Sequence, residues 1–90
     1  MSVDEILERV IDICKYHGIQ EVILFGSWVK GTANEFSDID IAIKGTGDIE
    51  RLREAIEEIP TLRSFDIVDI ENCKNELLLK EIEQYGRKIL

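Results

Sequence analysis

Positive charge is scarce in this sequence. The 90 residues include 11 Lys and Arg against 19 Asp and Glu, which gives a formal net charge of -8. Proteins that bind the phosphate backbone of nucleic acids do so with clustered Lys and Arg. The charge balance therefore predicts no nucleic-acid partner, and it equally disfavours binding to an anionic membrane surface.

Long apolar runs and paired cysteines are also missing. No stretch approaches the ~18 apolar residues that a membrane span requires, and the N-terminus has no basic-then-apolar leader pattern. Cys14 and Cys73 lie far apart and form no CxxC pair, so we interpret both as reduced thiols rather than as a zinc site or a disulfide framework. These absences predict a cytoplasmic protein, and the length predicts a single domain over residues 1–90.

Helical periodicity recurs in three segments. The first predicted helix begins after a capping box at Ser2 and ends at Gly18. The second is capped by Asp48 and closed by Pro60. The last covers about residues 74–85, and Gly86 stops it.

Residues with high strand propensity predict three strands, at 21–25, 38–44 and 63–70. Between the first two we expect one helical turn at 28–32 and a loop, and after the second a turn at 45–47. The predicted order αβαβαβα describes an α/β (α+β) domain in which helices pack on a three-stranded mixed sheet.

The predicted second strand carries two carboxylates on one face. Alternation places Asp38, Asp40 and Ala42 on one side, and on the other side three isoleucines that must be core. One interpretation is a solvated face, because half-exposed strands often alternate in this way. However, Asp is a poor strand former, and divalent cations make such a pair of like charges tolerable. Oxygen ligands on a rigid strand suit Mg²⁺ or Mn²⁺.

A third carboxylate, Asp66, lies in the middle of the predicted third strand between Phe65 and Ile67. Apolar neighbours on both sides make an ordinary surface role unexpected. If the third strand lies beside the second, Asp66 can join Asp38 and Asp40. Asp69 points to the opposite face, so we expect it to be solvated or to cap a helix.

A Gly-Ser pair follows the first predicted strand. Gly26 permits unusual backbone angles and close approach of a ligand, and Ser27 offers a hydroxyl at a turn whose amides could bind phosphate. The segment is not a Walker A loop, because Lys30 precedes Gly31 instead of following it. An ordinary tight strand-to-helix connection is the alternative interpretation.

Together, Gly26-Ser27, Gly31 and Ser37-Asp38-Ile39-Asp40 resemble the GS-x(n)-DxD signature of the DNA polymerase β-like nucleotidyltransferase superfamily. Size and details are similar to its minimal nucleotidyltransferase (MNT) branch, whose MntA-type members are often antitoxins paired with HEPN-domain proteins. The resemblance spans roughly residues 19–86.

The resemblance implies roles for individual residues. Gly26, Ser27 and Lys30 would bind the nucleotide. The catalytic residues would be three metal ligands that hold two Mg²⁺ ions, or Mn²⁺ in their place: Asp38, Asp40 and Asp66. Relatives often carry Arg at the positions of Trp28 and Lys30; Lys30 keeps that positive charge and Trp28 does not.

The implied activity is two-metal transfer of AMP from ATP, or of another nucleotide from its triphosphate, to a partner HEPN toxin. Two alternatives stay open: a nucleotidyltransferase with a small-molecule acceptor, and a non-catalytic nucleotide-binding or contact-only antitoxin module. The leucines at 77–79 exceed what one buried helix stripe needs, so part of this surplus could meet another protein. Self-association into a homo-oligomer is also compatible with the sequence.

Overall fold

The computed structural model describes residues 1–45 and 47–90. The turn predicted at 45–47 includes Thr46, which lies outside the described residues. The helices and strands follow one another in this order: α1 (Val3–Tyr16), β1 (Ile19–Phe25), α2 (Ser27–Lys30), β2 (Ile39–Gly45), α3 (Ile49–Glu57), β3 (Phe65–Asp69), a 3₁₀ turn (Ile70–Asn72), α4 (Glu76–Tyr85) and β4 (Arg87–Lys88).

The three longer helices, α1, α3 and α4, begin where a side chain accepts hydrogen bonds from the first backbone amides. The Ser2 hydroxyl accepts a hydrogen bond of 3.2 Å from the Glu5 amide at the start of α1. The Asp48 carboxylate caps α3 in the same way. Both caps were predicted. The cap of α4 is Asn75, whose side chain accepts from the Leu78 amide, so this helix begins two residues later than the predicted 74.

The sheet has the strand order β3-β2-β1-β4. β1 pairs antiparallel with β2 and with β4, and β2 pairs in parallel with β3. The predicted count of three strands was wrong by one, because β4 adds a short edge strand opposite Ile23 and Leu24. β4 consists of two exposed polar residues, so it carries no alternating pattern that a sequence could reveal.

The two faces of the sheet are covered differently. One face packs against α1 and α3 and forms the main core, to which β2 contributes Ile39, Ile41 and Ile43. The other face holds a smaller cluster in which Ile82 of α4 packs near Ala42. In the described part of the chain, no helix is long and apolar enough to cross a membrane.

Candidate functional site

Two of the three predicted site carboxylates lie opposite each other on neighbouring strands. The parallel register of β2 and β3 pairs Asp40 directly with Asp66. Residues paired in this way project their side chains from the same face of a sheet. That face is the one on which α4 packs. The expected neighbourhood of the second and third strands is therefore confirmed.

Asp38 lies one residue before β2 begins, not inside the strand as predicted. Its side chain is exposed, as is that of Asp66, whereas Asp40 is half-buried. Burial raises the pKa of Asp40, and the negative charges of Asp66 and then Asp38 raise it further. The three carboxylates therefore share one electrostatic environment, although they come from two strands and a loop.

The donor set fits a hard divalent cation. All three side chains offer carboxylate oxygens, the ligands that Mg²⁺ and Mn²⁺ prefer, and a cation would offset the cost of ionising Asp40 among its neighbours. Among residues 1–45 and 47–90, however, no three acidic, histidine or cysteine groups are gathered closely enough to hold an ion as they stand. Metal binding by Asp38, Asp40 and Asp66 therefore stays a prediction.

Gly26 forms one wall of the site. Its backbone has φ +74°, and a Cβ atom built there would lie 2.1 Å from Oδ2 of Asp40. The Asp40 carboxylate thus occupies the space that any larger residue would need. Gly31 has nearly the same φ, +77°, but a Cβ there would meet nothing within 4 Å. Of these two glycines, Gly26 is therefore the one whose lack of a side chain leaves room for the Asp40 carboxylate.

The turn that follows Gly26 folds back on itself. The amides of Val29 and Lys30 donate to the Gly26 carbonyl at 3.2 and 3.1 Å. These two amides are satisfied within the turn, and binding of phosphate by the turn stays a prediction. The polar side chains that the turn offers are the Ser27 hydroxyl and the Lys30 ammonium.

Lys30 is held by α4. Its Nζ forms an ion pair with Oε1 of Glu81 and lies 5.6 Å from the centroid of the Tyr85 ring. The hydrogen bond that Lys30 donates to the Glu81 carboxylate raises the pKa of Lys30. Glu81 also adds to the negative charge acting on Asp40. The predicted phosphate-binding lysine and the carboxylates are therefore joined through a residue of the last helix.

The match to a known family rests on nearly the whole chain. Residues 8–90 match the family model described as "Polymerase beta, Nucleotidyltransferase". The chain belongs to this nucleotidyltransferase family. It is 36% identical over 64 residues to the "putative protein adenylyltransferase" of Methanocaldococcus jannaschii, an alignment that covers 66% of this chain and 69% of the relative.

Solved structures share the fold of this nucleotidyltransferase. A crystal structure of a toxin-antitoxin with AMP-PNP superposes with a TM-score of 0.70 at 23% identity, over 92% of this chain and 71% of that one. A mutant form of the toxin-antitoxin MntA-HpeT gives a TM-score of 0.68 at 21% identity, with the same coverage. At this identity the likeness concerns the fold.

Two residues beside the nucleotidyltransferase signature were missed in the sequence. Arg63 stacks on Trp28, 4.9 Å from the ring, and donates to the Glu35 carbonyl at 3.0 Å. Trp28 also packs against the main core. The other missed residue is Glu81, which no sequence pattern distinguishes from the other glutamates of α4.

An open cleft of about 790 Å³ lies against Asp38, between the loop before β2 and the loop before β3. Two large apolar side chains on its walls are exposed, Phe36 at 86% and Leu62 fully. Arg63 ties the two loops together through the carbonyls of residues 34, 35 and 37. Hydrogen bonds from Arg63 therefore hold the two loops of the cleft together, and the cleft adjoins the Asp38 carboxylate.

Proposed function

We propose that this nucleotidyltransferase transfers AMP from ATP to a hydroxyl group of a partner protein, and that the partner is a HEPN-domain toxin which the modification neutralises. The observation that carries the proposal is the register that pairs Asp40 with Asp66, with Gly26 against the Asp40 carboxylate. The adenylyltransferase description of the archaeal relative and the toxin-antitoxin with AMP-PNP support it.

In the proposed reaction, the acceptor hydroxyl gives its proton to a site carboxylate and then to solvent, and its oxygen bonds to the α-phosphorus. The bond between the α-phosphorus and the oxygen that bridges to the β-phosphate breaks, and pyrophosphate leaves. Asp38, Asp40 and Asp66 would hold Mg²⁺ or Mn²⁺. When bound, such ions lower the pKa of the acceptor hydroxyl and neutralise charge on the triphosphate. Ser27 and Lys30 would orient the phosphates, so the protein contributes mostly positioning and electrostatics.

The shape of the cleft at Asp38 favours a protein as acceptor. Small-molecule sites usually enclose most of their ligand, whereas this cleft is open and presents Phe36 and Leu62 at its rim. Exposed apolar side chains on a braced surface suit contact with another macromolecule. An acceptor hydroxyl carried on such a surface would reach the carboxylates from the Asp38 side.

The test uses α-³²P-labelled ATP, Mg²⁺ and the protein purified together with its cognate partner. Label should appear on the partner and be lost with EDTA. It should also be lost in Asp38→Ala, Asp40→Ala and Asp66→Ala. The matched control is Asp12→Ala on α1, an exposed aspartate on the helix that packs on the opposite face of the sheet, and it should transfer label normally.

The second candidate is an antitoxin that neutralises its partner by contact alone. It is favoured by the absence, in the described residues, of three carboxylates gathered for an ion. If the wild type and Asp40→Ala neutralise the partner equally and neither transfers label, the contact-only function replaces the enzymatic one.

A further inference from the structure

Lys30 is one of the three residues predicted to bind the nucleotide, and in the structure it already has an anionic partner. It closes the turn that Gly26 opens, since its amide donates to the Gly26 carbonyl. Its ammonium reaches α4, where it pairs with Glu81. A phosphate group that used this lysine would therefore have to compete with a carboxylate of the protein itself.

α4 holds the ammonium by two different attractions. One is the Glu81 carboxylate, and the other is the face of the Tyr85 ring at 5.6 Å. Both partners lie on the same helix, four residues apart, and neither is fully buried. The lysine stem is long and flexible, so this double contact directs its charge towards α4.

Glu81 also lies near enough to the carboxylates for its charge to act on Asp40, although less strongly than those of Asp66 and Asp38. It is thus placed where a triphosphate bound beside Gly26 and Asp40 would bring further negative charge. Two effects then have the same sign: Glu81 occupies the cation that the phosphates need, and it repels the phosphates directly.

We propose that Glu81 sets the affinity of this site for nucleoside triphosphates by competing with the phosphates for the ammonium of Lys30. The inference rests on the proposed function only in placing the triphosphate beside Gly26 and Lys30. Exposed ion pairs are weak; here the side chains of Lys30 and Glu81 are 44% and 33% exposed. A polyanionic ligand can therefore displace Glu81, at the cost of some affinity.

The experiment is a calorimetric titration of the protein with AMP-PNP and Mg²⁺. Glu81→Gln keeps the size of the side chain and removes its charge, so the Kd should fall by about three- to tenfold. The matched control is Glu83→Gln, an exposed glutamate on the same helix. It makes the same change in net charge and should leave the Kd nearly unchanged.

A Lys30 variant tests whether Glu81→Gln lowers the Kd by ending competition for the ammonium or by changing the overall charge of the site. In a Lys30→Met background, Glu81→Gln should produce less than half of its effect on the Kd, because the cation for which Glu81 competes is gone. Thermal melts of all variants should agree with the wild type, which separates the affinity effect from damage to the fold.

Three results would overturn the proposal: an unchanged or higher Kd for Glu81→Gln, an equal gain for Glu83→Gln, or an undiminished gain in the Lys30→Met background. Calorimetry measures nucleotide binding alone, so it tests the role of Glu81 independently of the transfer reaction. A wild type that binds AMP-PNP but labels no partner would refute the transferase reaction and leave the role of Glu81 intact. No binding by either the wild type or Glu81→Gln would refute both.

Discussion

The two faces of β2 are built from opposite side chains. On one face Ile39, Ile41 and Ile43 are completely buried beneath α1 and α3. On the other face Ala42 packs near α4, while Asp40, at the start of the strand, stays partly exposed. The two faces therefore have different roles. The isoleucine face stabilises the fold by burying apolar surface, whereas the aspartate face brings carboxylates together in spite of the repulsion between their charges.

The largest expected effect comes from breaking the isoleucine face. Ile41→Ala removes a fully buried side chain from the centre of the sheet, so the free energy of unfolding should fall by about 2–5 kcal/mol. Urea denaturation measures this. Leu77→Ala, at a leucine that is 80% exposed on α4, should change stability by less than about 0.5 kcal/mol. Equal losses at the two positions would contradict the assignment of the core face.

A smaller effect is expected at the wall of the aspartate face. Gly26→Ala forces a residue with a Cβ atom into a backbone region that is essentially reserved for glycine, at φ +74° and ψ −147°, whereas Gly31→Ala needs only the left-handed helical region, at φ +77° and ψ 15°. Only at Gly26 does the new methyl group collide with the Asp40 carboxylate. We expect Gly26→Ala to cost about 1–3 kcal/mol more than Gly31→Ala and to abolish transfer, because Asp40 must move.

Because the two glycines also differ in backbone strain, the contact with Asp40 is isolated by repeating Gly26→Ala in an Asp40→Ala background, where the stability cost should be smaller than in the wild type. Chemical denaturation and label transfer should both be measured on the same preparations. If Gly26→Ala costs as much stability in the Asp40→Ala background as in the wild type, backbone strain is the whole effect, and Gly26 has no separate role in placing Asp40.

Much of this comparison could be predicted from the sequence, because it depends on local patterns. The alternation of Asp and Ile in β2 predicted both of its faces, and Asp66 between two apolar residues predicted a third carboxylate in a neighbouring strand. The cap at Asp48 and the expected helix-capping role of Asp69 are confirmed by their hydrogen bonds to the following amides. Each of these features is set by residues close together in the chain.

The features that were missed depend on contacts between distant segments. β4 is two polar residues that become a strand only because the edge of β1 is available. The pairing of Lys30 with Glu81 joins residues 51 positions apart. No periodicity predicts it, since it requires α4 to cross the sheet beside α2. The relation of Arg63 to Trp28 was missed for the same reason.

The smallest expected effect, and the one of opposite sign, is relief of repulsion on the aspartate face. The pKa of Asp40 is raised by burial and by its acidic neighbours. The folded protein therefore keeps the proton of Asp40 to higher pH than the unfolded chain does, and stability falls as pH rises above the ordinary pKa of 3.8. Asp40→Asn removes this penalty and keeps the size of the side chain that packs against Gly26.

In EDTA at pH 7, the Tm of Asp40→Asn should therefore exceed that of the wild type by roughly 1–4 °C, and the difference should shrink as the pH is lowered, because protonation of Asp40 in the wild type removes the same negative charge. Asp12→Asn, the same substitution at the exposed position on α1, should show no such gain. Added Mg²⁺ should stabilise the wild type more than Asp40→Asn, because a ligand that binds the folded state raises its stability. A lower Tm for Asp40→Asn in EDTA would mean instead that the ionised carboxylate stabilises the fold, and the contrast between the two faces of β2 would then no longer hold.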